Sequence, residues 1–349
     1  MRLSFLALAA SVALSSTIAA TAAYAGDITG AGGTFPAPVY NAWASEYKTK
    51  TGNAVNYQAI GSGGGQTQIT NRTVDFGASD APMAADKLVA AKLLQFPTVV
   101  GAIVPIVNID GIASDQLALN ADVIAQIYLG KVTKWNDPAI AALNKGVTLP
   151  DLDIAPVYRS DGSGTTFVFT SFLAGVSQDW KDNVGAATSV QWSAGSGAKG
   201  NDGVAASVKN TKGAIGYVEY AYAANNGLTI VDLQNKSGQA VKPSLDSFTA
   251  AAAKANWKGA KDYAVSMVNV DDDKAWPIVS TTFILLPKDP KDATKSADVM
   301  KFFDWAYKDG AASAEKLHYI VLPKDVVDNI RASWSSEIKS ADGKAIYSN

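Results

Sequence analysis

Two periods of apolar residues alternate along this chain. Ile154, Ala155, Pro156, Val157 and Tyr158 form a short apolar run of the kind that makes a strand. Phe169, Phe172, Leu173 and Val176 then recur at i, i+3, i+4 and i+7, which predicts a helix immediately afterwards. Earlier, Val55, Tyr57 and Ala59 alternate with Asn56 and Gln58 as a half-buried strand does. Tyr40, Trp43, Ala44 and Tyr47 mark the apolar face of another helix, with Pro36 suited to its first turn and Gly52 to its stop. Asn120 reads as the N-cap of a helix over 121–129. Met300, Phe303, Trp305 and Tyr307, then Val326, Val327, Ile330 and Trp334, place two helices near the C-terminus, and aromatic residues at that spacing read as core.

Two longer apolar runs, TVVGAIVPIVNI at 98–109 and IVSTTFILL at 278–286, are rich in β-branched residues and predict strands. Short strands alternating with helices argue for an α/β fold. If the two long runs cross between halves of the molecule, residues 26–104 and 280–349 build one lobe and residues 105–279 the other. Each lobe is then a mixed sheet flanked by helices, and a ligand site is expected where the lobes face each other. The alternative is one large sheet in which both runs are buried strands.

Three strand-to-helix junctions carry the same chemistry. Thr29 to Pro36 (TGAGGTFP) holds Thr34, Gly61 to Gly65 (GSGGG) holds Ser62, and Arg159 to Thr166 (RSDGSGTT) holds Ser163, Gly164 and Thr165 behind Arg159. At a helix start the unpaired N–H groups and the positive end of the dipole favour an anion, and hydroxyls add donors. Arg159 contributes a fixed charge on a planar fork of donors. Three such turns, each after a predicted parallel strand, suggest helix ends converging on an oxyanion in a crevice.

Composition narrows the setting. Residues 1–25 have a positive start, an apolar stretch and a small-residue Ala23-Tyr24-Ala25 ending, the signature of a cleaved secretory signal peptide. Its removal leaves 29 basic and 32 acidic residues, a net charge of −3, with no basic run to attract nucleic acid. The chain has no cysteine, so no disulfide, thiolate metal site or N-terminal lipid-bearing cysteine is available. No later stretch is apolar for long enough to span a bilayer.

The segments TGAGGTFPAPVYNAW, VDFGASDAP, RSDGSGTTFVFTSFL, KGNDGVAASV, GAIGYVEYAYA and KFFDWAYKDGA resemble the periplasmic phosphate-binding proteins of bacterial ABC transporters, in order and over nearly the whole mature chain. The resemblance implies a two-lobed solute-binding fold joined by two crossover strands and closing over inorganic phosphate. It implies phosphate contacts from Thr34, Phe35 (through its backbone N–H), Ser62, Asp80, Arg159, Ser163, Gly164 and Thr165, with Asp161 pairing Arg159 behind them. It further implies a periplasmic monomer that binds no cofactor and delivers phosphate to a membrane permease whose partner subunits hydrolyse ATP. Residues 160 and 63 are Ser and Gly, where family members carry Ala and Ser. Asp80 would accept a hydrogen bond from a protonated phosphate oxygen and so turn sulfate away; the plainer reading makes it a cap for a helix near Pro82.

Other readings compete on the residues alone. Ser163 near acidic groups suggests a phosphomonoesterase, yet Gly162-Ser163-Gly164 lacks the G-x-S-x-G pattern, and His318 is the sole histidine. A binder of another tetrahedral oxyanion, such as sulfate or molybdate, remains a second alternative. Asp271-Asp272-Asp273 lacks the spacing of a calcium loop. Gly195 to Gly200 matches G-x-G-x-x-G without a clear preceding strand, a weak dinucleotide signal.

Overall fold

The computed structural model describes residues 27–347, so the predicted signal peptide lies outside the described residues. The first half opens as three parallel strands with helices between them: β1 (Ile28–Gly32), α1 (Ala37–Thr51), β2 (Val55–Ala59), α2 (Ser62–Thr70) and β3 (Phe76–Ser79). β1 lies in the middle, pairing Ile28 with Val55 of β2 and Gly30 with Phe76 of β3. The helix α3 (Ala85–Ala90) then leads into β4 (Leu93–Val107), in which every residue is buried. Burial on both faces is why this strand reads as an unbroken apolar run instead of alternating.

The run at 278–286 is the strand Ile278–Pro287, lying antiparallel between β3 and the first half of β4. The second half of β4 pairs instead with the strand Ala214–Glu219, from Ile103 opposite Glu219 to Val107 opposite Ile215. That strand runs parallel to Ala155–Arg159, which runs parallel to Ser196–Ala198. The two halves are therefore joined by one continuous path of ladder bonds, with β4 belonging to both.

β4 begins at Leu93 instead of at residue 98, and so runs through Pro97. Proline cannot donate to a ladder, and here it sits where the register slips: Thr281 faces Val100 but Phe283 faces Pro97. The bulge lies on β4, where Thr98 and Val99 together face the single Thr282.

The predicted caps and core faces are in place. Asn120 accepts from Val123 N–H at 2.9 Å and starts the helix α4 (Ala121–Tyr128). Tyr40, Trp43 and Tyr47 are buried on α1, as are Met300, Phe303, Val326, Val327, Ile330 and Trp334 on the two C-terminal helices, while Trp305 and Tyr307 are only partly covered. Two buried indoles spend their N–H groups on backbone, Trp43 on Gly310 C=O at 2.8 Å and Trp276 on Ile103 C=O at 2.9 Å, whereas the buried Trp334 Nε1 has no protein partner. Among the described residues, no helix is long and apolar enough to cross a membrane.

Candidate functional site

Four of the predicted residues leave the carboxyl ends of adjacent parallel strands. Thr34 and Phe35 follow β1, Ser62 is the first residue of α2 after β2, and Asp80 follows β3. Gly61 makes the second junction possible, since its φ of 91° lies where a side chain is strained. From the other half, the strand Ala155–Arg159 ends on Arg159, and Ser163 is the N-cap of the helix Gly164–Val176, its hydroxyl accepting from Thr166 N–H at 3.0 Å.

The two groups of turns touch. Gly63 N–H donates to Gly162 C=O at 2.9 Å. A Cβ on Gly164 would lie 2.5 Å from Ser62 Oγ and 2.6 Å from the Asp80 side chain, so only glycine fits there. Residue 63 being Gly rather than Ser also allows this approach, as its Cβ would stand 3.3 Å from the Gly162 Cα. Thr34, Ser62, Asp80, Arg159, Ser163 and Thr165 are all buried. The Phe35 ring packs edge-on to Tyr319 in the core, and its C=O accepts from Tyr319 O–H at 2.6 Å.

Charge is arranged in pairs. Arg159 grips Asp161 with a two-pronged contact, Nε to Oδ1 at 2.7 Å and Nη2 to Oδ2 at 2.6 Å, and its Nη1 reaches Thr165 Oγ1 at 3.3 Å. Burial alone would raise the Asp161 carboxyl, but the hydrogen bonds and charge of Arg159 prevail and hold it below the usual carboxylate range. Asp80 has no such partner in contact. Thr282 donates to its Oδ1 at 2.6 Å and Ser62 Oγ lies 3.2 Å from its Oδ2. Burial pushes the Asp80 carboxyl up to about 6, against the pull of Thr282, Arg159 and Ser62. Each carboxylate oxygen keeps a free lone pair, so Asp80 remains an acceptor among donors.

The eight predicted contacts and Asp161 thus gather at one buried junction. Sequence reasoning missed three residues beside them. Thr282, in a strand read as plain core, is turned toward Asp80 at the bulge. Asn201 Nδ2 donates to Thr34 Oγ1 at 2.7 Å and to Thr165 Oγ1 at 3.3 Å. Tyr222 O–H donates to Thr34 C=O at 2.7 Å. The paired Thr281-Thr282 inside an otherwise apolar run was the available signal for the first; Asn201 and Tyr222 carried none that spacing could read.

Several competing readings fail here. Asp80 does not cap α3, which starts at Ala85 with Ala84 in the cap position. Ser163 Oγ is engaged as a helix cap, while His318 packs edge-on against Tyr220, so no serine–histidine pair is formed. Asp271 and Asp272 face Lys236 and Lys254. The glycine-rich 195–200 segment includes the edge strand Ser196–Ala198 and opens the helix Gly200–Asn210, but the first N–H of that helix is given to Asp161 Oδ1 at 3.0 Å.

The geometry has counterparts in known proteins. A model of the PBP superfamily domain matches residues 17–309. The phosphate-binding protein PstS of Pasteurella multocida (strain Pm70) is 53% identical over 320 residues, spanning 92% of this chain and 93% of that protein. That of Haemophilus influenzae (strain ATCC 51907 / DSM 11121 / KW20 / Rd) is 50% identical over 317 residues, spanning 91% and 95%. The chain belongs to the PBP superfamily and, within it, to the PstS family. The solved structure of a human phosphate binding apolipoprotein covers 93% of this chain and 100% of its own at a TM-score of 0.73 and 20% identity, a likeness that speaks for the fold alone. Membership in the PstS family accords with the resemblance read from the glycine-rich junctions. The fold is the two-lobed α/β architecture expected from it.

Proposed function

We propose that this chain is an extracytoplasmic receptor that closes over one inorganic phosphate ion, does no chemistry on it, and presents it to the permease of an ABC transporter. In this reading residues 26–104 and 280–349 form one lobe and 105–279 the other, the signal peptide is removed on export to the periplasm, and the mature protein works as a monomer. The hydroxyls of Thr34, Ser62, Ser163 and Thr165, the N–H groups of Phe35, Gly164 and Thr165, and the Arg159 guanidinium hold the ion, while Asp80 accepts a hydrogen bond from its protonated oxygen. The observation that carries the reading is the buried Asp80 carboxylate, set among hydroxyl donors with no cation in contact.

Energetics favour this division of labour. Moving even one charge into low dielectric costs on the order of 20 kcal/mol in the ideal case and several kcal/mol after relaxation. Around ten charge-assisted hydrogen bonds at ~1.5–3 kcal/mol each are enough to offset that. Asp161 neutralises Arg159, so the ion is held by fixed dipoles more than by net charge. A fully ionised sulfate has no proton to give Asp80, and a site built around such a bond rejects the analogue lacking it by ~10⁴–10⁵. Titration calorimetry of ligand-stripped protein is expected to show tight phosphate binding, negligible sulfate binding near neutral pH and no release of chromophore from a chromogenic phosphate ester. Sulfate or molybdate binding as tight as phosphate, or turnover of the ester, would overturn the proposal.

A further inference from the structure

Asn201 is fully buried, and each polar atom of its side chain has an assigned partner. Its Oδ1 accepts from Glu219 N–H at 2.9 Å, and because a backbone amide can only donate, this contact fixes which end of the side-chain amide faces which way. The Nδ2 group then has two protons to give. One goes to Thr34 Oγ1 at 2.7 Å and the other to Thr165 Oγ1 at 3.3 Å. Asn201 also gives its backbone N–H to Thr34 Oγ1 at 3.1 Å. A hydroxyl has two lone pairs and one proton. Thr34 therefore has both lone pairs filled by Asn201, and Thr165 has both filled by Asn201 and Arg159 Nη1. The proton of each hydroxyl is left to point elsewhere.

We infer that Asn201 is a positioning residue that commits the Thr34 and Thr165 hydroxyls to donate, so that both face the bound ion as donors only, and that it does so across the lobes. The inference rests on the phosphate reading above and adds a residue that touches no ligand in it. Thr34 leaves β1 while Asn201 lies in the first turn of the helix Gly200–Asn210. The cap residue of that helix, Lys199, supplies no side-chain cap bond. Its first two N–H groups are met by Asp161 and by Thr34 instead. Closure therefore completes the helix cap from the opposite lobe and sets the polarity of the threonine in the same movement. A free threonine hydroxyl rotates and either donates or accepts; a closed one only donates, which suits an anion and penalises a guest that needs to donate.

The test is a double-mutant cycle read by phosphate calorimetry, using Asn201→Ala, Thr34→Val and both together. Asn201→Ala is expected to weaken phosphate about ten- to a hundredfold, and its effect is expected to shrink in the Thr34→Val background, because the hydroxyl it organises is gone. A purely structural role predicts the same loss in both backgrounds. Asn201→Asp, which keeps the shape but replaces both donors by an acceptor, is the second variant should the alanine protein fail to fold. It is expected to weaken phosphate more than the loss in Thr34→Val/Asn201→Asp relative to Thr34→Val alone. Additive losses in the cycles, or undiminished affinity in Asn201→Ala, would overturn the inference while leaving the receptor reading intact. Failure of the parent chain to bind phosphate would overturn that reading itself.

Discussion

At the residue scale, the proposed selectivity turns on the fate of one proton at Asp80. The carboxyl is pushed up to about 6 by burial, so its protonated form prevails below that pH and becomes a donor. Sulfate can accept such a bond. Only the protonated fraction would admit sulfate, so its apparent affinity is expected to fall about tenfold for each pH unit above the Asp80 value. Asp80→Asn, which always offers a donor, is expected to bind sulfate with no such slope and to retain phosphate. Competition calorimetry between pH 5 and pH 8 would read both, and a parent protein that excludes sulfate equally at both ends would refute the role given to Asp80. In the same proposal Arg159 acts differently: Asp161 already pairs with its charge, so its loss is expected to be felt as missing hydrogen bonds.

At the scale of elements, helix starts do two jobs. The helix Gly164–Val176 is capped by Ser163 and packs its Thr165 and Thr166 against Arg159 and Tyr217. Its first residue must be glycine because Ser62 and Asp80 occupy the space a Cβ would need. Gly164→Ala is expected to leave the phosphate-free fold close to the parent in thermal unfolding, since the clash exists only across the closed junction. The same change is expected to weaken phosphate ~5- to 100-fold, the equivalent of an overpacking cost of about 1–3 kcal/mol. An equal fall in the unfolding temperature of the phosphate-free protein would show that the contact belongs to one lobe's core instead.

For the whole molecule, β4 matters most, since it carries both ladders and is buried throughout. Opposite its centre sits Glu219, paired with Ile103, whose Oε2 accepts from Ala221 N–H at 3.0 Å while Oε1 has no protein partner. Burial pushes this carboxyl well above its ordinary value of 4.5. The folded state thus holds a proton that the unfolded chain releases, and stability must fall as pH rises from that ordinary value toward the folded one. Glu219→Gln, neutral at every pH, is expected to remove that part of the slope in phosphate-free denaturant titrations between pH 5 and pH 8. An unchanged slope would mean that Glu219 is ionised in the folded protein. Phosphate at a hundred times its dissociation constant should add about 2.7 kcal/mol to the same midpoints through mass action.

The chain by itself determined what depends on local order. Periodicity marked α1 and the strands that lead into two of the glycine turns, a cap residue marked α4, and hydroxyl-rich helix starts suggested an oxyanion, because capping and dipole chemistry are properties of a few consecutive residues. The family resemblance supplied Asp80, which no spacing marks out. Tertiary structure alone decided which turns face each other, since that follows from β4 pairing with both ladders. It also decided what Thr282 and Asn201 do. The first meets Asp80 where Thr98 and Val99 bulge opposite it, and the second comes in on a helix start that meets Thr34. Neither contact is written in any window of sequence, as the partners lie 202 and 167 residues apart.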